Sequence, residues 1–372
     1  MAKLKIGLVF DDSLDRMDGV QRYIATLGTW LIEQGHDVQF LVGETKNGPF
    51  PEQTHSLSRN IAVRGNGNAL SIPLPANKKN IQNLLAKEKF DVLHVQVPYN
   101  PFLAGRVISA TDPKTAIVGT FHITAENNLT VLGARLMGNM QQKTLKKFVS
   151  FVSVSEAAQN FAKDNYKIDS EIIPNMVKLP DLKLMKKDTK AAPKVVFLGR
   201  LVERKGCREL LQAFSLVKTK PLPSLVICGD GPQRFELEKL SNKLGLKNRV
   251  EFLGRVEEQE KYAQLASADV AVFPSMHGES FGIVLLEAMS VNKPVVLAGD
   301  NPGYRTVLKD QKEHMLVNPK STSEFANKLD TLLKDSDLRK ELLAWQQTHL
   351  PDFLVEKVGP KIVNWYEDSI TK

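Results

Sequence analysis

At 372 residues the chain is too long for a comfortable single domain and long enough for two hydrophobic cores. Its 42% hydrophobic and 25% charged residues are those of an ordinary globular protein, and no run reaches the roughly 18 apolar residues of a membrane span. The net charge of +8 suits an anionic partner (nucleotide, nucleic acid or acidic lipid), but it is shared equally between the halves, so local patches must decide.

The opening residues reach Asp11 and Asp12 too soon for a secretory leader and read as a first buried strand over 6–10. An amphipathic helix follows over 21–34, with Ile24, Leu27, Leu31 and Ile32 on one face, and Gly35-His36 turns the chain into a strand over 38–42. Further buried strands are expected over 91–96, 116–121 and 151–154, with helical patterns near 80–87 and 133–147. Apolar strands separated by helices predict parallel βαβ units. Residues 180–193 are rich in Lys and Asp with Pro at both ends, and read as a linker. The alternation then restarts, with strands over 194–198, 224–228, 250–252, 270–273 and 294–297. Helical patterns cover 208–217, 233–244, 260–265 and 280–289, and helices fill 323–372. Two α/β domains in sequence are the consistent reading. The two distant cysteines, Cys207 and Cys228, have no metal-ligand spacing and indicate a reducing compartment without a disulfide.

Several strand ends carry chemistry. Asp18-Gly19-Val20-Gln21 is a glycine-containing entry to the first helix but not a GxGxxG fingerprint, which counts against a hydride-transferring oxidoreductase. Thr120-Phe121-His122 ends a buried strand, where a lone histidine is more often structural than functional, while His94, within a strand, reads as core. In Gly199-Arg200-Leu201-Val202-Glu203-Arg204-Lys205-Gly206, fixed cations stand at the end of a parallel strand, placed to neutralise a diphosphate; the bland alternative is a solvated basic loop. Cys228-Gly229-Asp230-Gly231 is a similar strand-to-turn step and weak alone. The strongest signal is the run from His277 to Met289. Gly278 and Gly282 permit close approach of backbone, and the N–H groups near Ser280, Phe281, Gly282 and Ile283 can bind a phosphate or hydroxyl. Glu279 precedes this helix and Glu287 is expected two turns inside it on the same side, so that both line one pocket; a capping role for Glu279 is the plainer reading. Asp335-Ser336-Asp337 spells a metal-binding DxD in a polar helical stretch and reads as surface, and no metal spacing appears elsewhere. A basic nucleic-acid-binding protein would want interleaved aromatic and basic residues, which 7% aromatics do not provide.

Taken together, the Glu279–Glu287 spacing, Gly199-Arg200 with Lys205, Gly229-Asp230-Gly231, Ile173-Pro174-Asn175 and Ser153-Val154-Ser155 resemble family four of the retaining glycosyltransferases over nearly the whole chain. Gly19-Val20-Gln21, Asp91-Val92-Leu93-His94, Thr120-Phe121-His122 and the run 278–289 look most like the phosphatidyl-myo-inositol mannosyltransferases. The resemblance implies an α/β GT-B fold, two Rossmann-like domains with parallel sheets facing across a cleft. The first, 1–180, binds acceptor; a linker covers 181–193; the second, 194–350, binds the nucleotide sugar; a last helix, 351–372, packs back on the first. It further implies a metal-independent, retaining hexosyl transfer needing no cofactor beyond the nucleotide-sugar donor, GDP-mannose ahead of UDP-glucose, to a lipid such as phosphatidyl-myo-inositol. The alternatives are a UDP-glucose- or UDP-galactose-dependent diacylglycerol or glycolipid enzyme, and transfer to a soluble polyol or sugar.

By position, Gly19, Gly199, Gly229, Asp230, Ser280, Phe281, Gly282 and Ile283 would approach the donor, Arg200 and Lys205 hold its diphosphate, Glu279 a sugar hydroxyl and Glu287 the ribose. Val256 and Lys261 would frame the base. His122 would touch the donor sugar; Asp12, Gln21 and Asn127 would face the acceptor. This chain departs from the family pattern at Asp18, where a second glycine is usual, and at Gln96-Val97-Pro98, where the family has His-Glu-Pro. It also lacks an aromatic near Asp12, and Asn127 stands where a lysine is expected shortly after Phe121-His122. A lipid acceptor requires a bilayer surface. Residues 127–155 hold Arg135, Lys143, Lys146 and Lys147 with no carboxylate, beside Leu132, Leu136, Met137 and Met140 at near-helical spacing, and Lys78 and Lys79 open another helical segment. These basic, partly apolar helices are expected to lie on anionic lipid at the inner face of the cell membrane, with no nucleic-acid partner; a helix with a solvated basic face is the bland reading.

Overall fold

The computed structural model describes residues 3–65, 68–74, 76–124, 128–181, 192–309 and 311–372. They form two compact units, Met1–Met176 with Val355–Lys372, and Val177–Leu354.

Unit 1 runs β1 (Lys5–Phe10), α1 (Gly19–Glu33), β2 (Asp37–Gly43), β3 (Thr54–Ser58), β4 (Asn60–Gly65), β5 (Asn68–Pro73), α2 (Lys78–Glu88), β6 (Val92–Gln96), α3 (Leu103–Ala110), β7 (Ala116–Phe121), α4 (Asn128–Leu145), β8 (Ser150–Ser153), α5 (Glu156–Tyr166) and β9 (Glu171–Ile172). Its parallel sheet has the order β3-β2-β1-β6-β7-β8-β9, and β4 and β5 form a separate antiparallel hairpin. Strand β1 is apolar on both faces because both are covered, as expected of a central parallel strand. Leu8 and Phe10 pack with Ile24, Leu27 and Leu31 of α1, whereas Val9 packs with Ile81, Leu103 and Val107 of α2 and α3.

Unit 2 runs β10 (Lys194–Leu198), α6 (Cys207–Ser215), β11 (Ser224–Cys228), α7 (Arg234–Lys243), β12 (Val250–Gly254), α8 (Glu258–Ser267), β13 (Val270–Phe273), α9 (Ile283–Ser290), β14 (Val295–Gly299), α10 (Pro302–Leu308), α11 (Lys312–Met315), β15 (Leu316–Val317), α12 (Thr322–Lys334) and α13 (Ser336–His349). The strand order is β12-β11-β10-β13-β14-β15, all parallel. In each sheet the order reverses at the first strand, at β1/β6 and at β10/β13. The carboxyl ends of such strands are where open α/β sheets bind ligands.

Some elements differ from the sequence expectation. Strand β3, the β4–β5 hairpin, α3 and α5 were not foreseen; β3 is short and polar, and α3 follows directly on a proline-containing turn. Helix α9 begins at Ile283, three residues after the expected start, because Gly282 takes a left-handed φ of +110° as its cap. Most of the expected linker, 182–191, lies outside the described residues.

The last helix, α14 (Val355–Ile370), belongs to unit 1, where Val358, Ile362, Val363 and Tyr366 join the α1 core. Its Tyr366 hydroxyl bonds His94 Nδ1 at 2.6 Å, His94 Nε2 bonds the Thr120 hydroxyl at 2.6 Å, and Trp365 Nε1 donates to Ser150 Oγ at 2.8 Å. His94 is fully buried, and burial holds it well below the usual histidine range, so it sits there neutral. Replacing Tyr366 by Phe keeps the packing and orphans a buried ring nitrogen, so urea unfolding is expected to show about 1–3 kcal/mol of lost stability at unchanged m-value. A loss under about 0.5 kcal/mol would mean that the hydroxyl adds nothing to the helix's attachment.

Candidate active site

In unit 2 the site is built from loops at the carboxyl ends of β10, β11 and β13. After β10 the chain makes a single 3₁₀ turn, Glu203–Lys205, capped by Gly206 at φ +70°. Arg204 O accepts a 2.8 Å bond from Met276 N in the loop after β13, which pins the two loops together. The loop after β11 lies equally close: a Cβ on Gly229 would fall 1.8 Å from Gly199 O, so backbone contact alone accounts for that glycine. Asp230 spends its carboxylate on its own turn, accepting from Gly231 N at 2.8 Å.

These loops bring Lys205 and Glu279 together and add Arg204, which the sequence reading left without a role. Lys205 Nζ lies 2.7 Å, and Arg204 Nη1 2.8 Å, from the same atom, Glu279 Oε1. All three side chains are mostly buried. Burial alone would push the Glu279 carboxyl up, but Lys205 and Arg204 outweigh it and hold the group below its ordinary value, with Ser275 adding a hydrogen bond. Ser275 Oγ in turn lies 3.1 Å from the buried Tyr304 hydroxyl, and Asn301 Nδ2 donates to Ser275 O at 3.1 Å. Arg200, also at the end of β10, is half-buried and makes no ion pair with a described residue. The only signal for Arg204 was its place beside Lys205; Ser275, Asn301 and Tyr304 carried none.

Glu287 sits just over one turn into α9, not two, and pairs separately with Lys261 Nζ at 3.0 Å. Both are almost fully buried, and the Lys261 ammonium also lies 4.2 Å from the Tyr262 ring centre. The two glutamates therefore anchor two distinct cation sites. Ser280 and Ile283 are half-buried, as is Val256. Phe281 is a core side chain, edge-on to Phe353, so only its backbone could meet a ligand. Asp335 is no metal ligand: its carboxylate caps α13 by accepting from Asp337 N and Leu338 N. Among the described residues no cluster of His, Cys, Asp or Glu could hold a metal ion.

In unit 1, His122 follows β7 and is buried, its Nε2 2.6 Å from Gln96 Oε1 at the end of β6. Tyr23 of α1 stands edge-on to it at 4.8 Å, and burial pushes the imidazole down to about 3. Gln21 is buried, its amide 3.4 Å from Ser13 O, and Asp12 accepts from Ser13 N at 2.6 Å. Gly19 is exposed, and a Cβ there would meet no atom within 4 Å, so the fold itself does not demand a glycine. Asp11, given no site role from sequence, is 4% exposed: one carboxylate oxygen accepts from Ala104 N, the other has no partner, and burial raises the group to about 7. Asn127 lies outside the described residues.

On α4, Leu132, Leu136 and Met140 are 65%, 63% and 71% exposed, an i, i+4, i+8 stripe facing solvent. Arg135, Lys143 and Lys146 are exposed near it, as are Lys78 and Lys79 at the start of α2. Lys147 is differently placed: its ammonium is engaged 3.2 Å from the carbonyls of Ile108 and Ser109 at the end of α3. No described helix is long and apolar enough to cross a membrane.

Residues 17–179 match the family description Glycosyltransferase Family 4, and residues 183–344 match Glycosyl transferases group 1. A phosphatidyl-myo-inositol mannosyltransferase of Mycolicibacterium smegmatis is 31% identical, the match covering 98% of this chain and 94% of that protein. Among solved structures, the sucrose-phosphate synthase of Thermosynechococcus elongatus is 21% identical with a TM-score of 0.77, covering 98% and 99% of the two chains. Anabaena HepE in complex with UDP and glucose is 18% identical with a TM-score of 0.75, covering 98% and 99%. The GT-B fold expected from sequence is thus the fold found.

Glu279 also makes a test of the electrostatics. Its folded-state pKa is lowered, so its contribution to stability is present above the ordinary carboxyl value of 4.5 and is lost as pH falls through the folded value. Glu279→Gln is expected to cost about 2 kcal/mol near neutral pH, with the gap to wild type closing below 4.5. Unfolding curves across that range check this, and a gap independent of pH would refute the pairing.

Proposed function

This chain belongs to glycosyltransferase family 4 and is a nucleotide-sugar-dependent, retaining hexosyltransferase, and we propose that it transfers mannose from GDP-mannose to phosphatidyl-myo-inositol. The observation that carries the reading is the convergence of Lys205 and Arg204 on one carboxylate oxygen, at the carboxyl edge of a sheet whose order reverses there. Cations so fixed fit a diphosphate. The named mannosyltransferase relative supports the choice of sugar and acceptor.

In the proposed reaction the bond from the sugar's anomeric carbon to the diphosphate oxygen breaks, and the acceptor hydroxyl bonds that carbon on the same face. The hydroxyl's proton passes to the departing diphosphate, giving GDP and the mannosylated lipid. Lys205, Arg200 and the N-terminus of α9 meet the negative charge that builds on the leaving group, so that no metal ion is called for. Glu279 takes a sugar hydroxyl, Glu287 the ribose and His122 the donor sugar, while Gly19 leaves room for the diphosphate and Gln21 meets the polyol. One observation favours a second reading, hexosyl transfer from UDP-glucose to diacylglycerol or a glycolipid: the aromatic missing near Asp12 and the lysine replaced by Asn127 both depart from the family on the acceptor side. Product mass spectrometry after incubation with both donors and with phosphatidylinositol and diacylglycerol vesicles decides. A hexosyl-phosphatidylinositol is expected from GDP-mannose, and a hexosyl-diacylglycerol alone would replace the first reading by the second.

The enzyme is further proposed to work as a peripheral protein on the inner face of the cell membrane. The support is the exposed Leu132–Leu136–Met140 stripe with Arg135, Lys143 and Lys146 beside it. Sedimentation with phosphatidylglycerol vesicles is expected, reversed by salt and weakened about tenfold in Leu136→Glu. Equal binding to neutral phosphatidylcholine vesicles, or none to either, would rule this out.

A further inference from the structure

We propose that Arg204 is a positioning residue: it stays paired with Glu279 when Lys205 turns to the diphosphate, so that the carboxylate is never left without a cation. The inference rests on the reading that Lys205 meets the donor diphosphate and Glu279 a sugar hydroxyl. Two positive charges and one negative meet at Glu279 Oε1, 2.7 Å from Lys205 Nζ and 2.8 Å from Arg204 Nη1, a net charge of +1 among mostly buried side chains. One cation offsets the loss of water around the carboxylate, and the other is surplus until an anion arrives.

Which of the two leaves is decided by how each is held. Arg204 is tied to the loop that carries Glu279 at two points, through its side chain and through its carbonyl, which accepts from Met276 N at 2.8 Å. Gly206 packs on the same loop, since a Cβ there would lie 2.1 Å from Pro274 O. Lys205 N instead bonds Val202 O at 3.0 Å, within its own turn, and its stem passes Gly199, where a Cβ would lie 4.0 Å from Lys205 Cδ. Lys205 is therefore the cation that borders the end of β10, next to Arg200. The side chains differ in the same sense. An ammonium on a flexible stem is a movable point charge, whereas a guanidinium is a planar fork that keeps its proton at every working pH.

Among the described residues, the charged and titratable groups placed against Glu279 are Lys205 and Arg204 from the turn after β10 and Tyr304 from α10. Burial keeps Tyr304 neutral, and Glu203 and His277 on the same loops are exposed. Burial pushes the Glu279 carboxyl up, and Lys205 and Arg204 together hold it below its ordinary value. With Arg204 removed and Lys205 drawn to a diphosphate, nothing of that kind opposes burial, and the carboxylate takes up a proton. Nucleotide binding then becomes coupled to proton uptake, an effect that a role confined to packing does not produce.

Titration calorimetry with GDP and with UDP tests this, since either carries the diphosphate. Arg204→Met is expected to weaken the nucleotide that wild type binds about tenfold, and Arg204→Lys, which keeps the charge, by less than about threefold. In a Glu279→Gln background there is no carboxylate to hold, and adding Arg204→Met is expected to change affinity by less than about threefold. Heats measured in buffers of different ionisation enthalpy at about pH 6 are expected to show Arg204→Met taking up more protons on binding than wild type. Arg204→Gln serves if Arg204→Met does not fold. An equal loss in both backgrounds would make Arg204 a ligand of the diphosphate and overturn the inference. Arg204→Lys as weak as Arg204→Met, or proton uptake equal to that of wild type, would overturn it as well. Should Lys205→Met bind as wild type does, or wild type bind neither nucleotide, the site reading fails first and takes this inference with it.

Discussion

Two cations meeting on Glu279 Oε1 form the contact on which the loop architecture at the carboxyl edge of unit 2's sheet depends. A carboxylate this far from water must be paired, and pairing it brings the loop after β13 against the 3₁₀ turn after β10. The surrounding features follow from that requirement. Met276 N bonds Arg204 O, and Ser275 and Tyr304 stand behind the carboxylate. A Cβ on Gly303 would lie 2.2 Å from Glu279 O, so α10 closes against the same loop. In the proposed reaction a diphosphate reaching Lys205 competes with a carboxylate already bound there, and the exchange frees Glu279 for a neutral hydroxyl. Preorganised charge of this kind needs no reorganisation as the leaving group departs.

Unit 1 follows a different principle, with neutral polar groups buried inside an apolar core. Tyr366, His94, Thr120 and Tyr23 form a connected chain beneath the sheet, and Gln96 with His122 forms a second pair at its edge. Because burial keeps both histidines neutral, their role there is hydrogen bonding rather than charge. The C-terminal helix is part of this network: Tyr366 comes from a segment that follows the whole of unit 2 in sequence and closes the α1 face of unit 1. A chain that leaves a unit and returns to it makes the folding of that unit depend on residues that follow the other unit in sequence.

Much of the fold was legible because parallel strands covered on both faces write themselves as apolar runs, as at β1, β7 and β13. What escaped has equally physical reasons. Strand β3 is polar and lies at the edge of its sheet, so burial leaves no mark on it. Helix α5 buries Ala158, Phe161, Ala162 and Tyr166, too sparse a face to stand out in a pass for apolar periodicity. The late start of α9 depends on the left-handed Gly282, whose Cβ would meet the Tyr304 ring, a contact between residues 22 positions apart.

By itself the sequence determined two α/β units, the order of their main strands and the neighbourhood of Lys205, Glu279, Glu287 and His122, since strand pattern and motif spacing are local properties. Tertiary structure alone decided how those charges are partnered. Spacing placed Glu279 and Glu287 near one helix, but only the packed loops assign Arg204 and Lys205 to the first and Lys261 to the second. The same is true of Gln96 and His122, and of Tyr366 and His94, separated by 26 and 272 positions. Hydrogen bonds and ion pairs act over about 3 Å in space. They are invisible along a chain until the fold closes that distance.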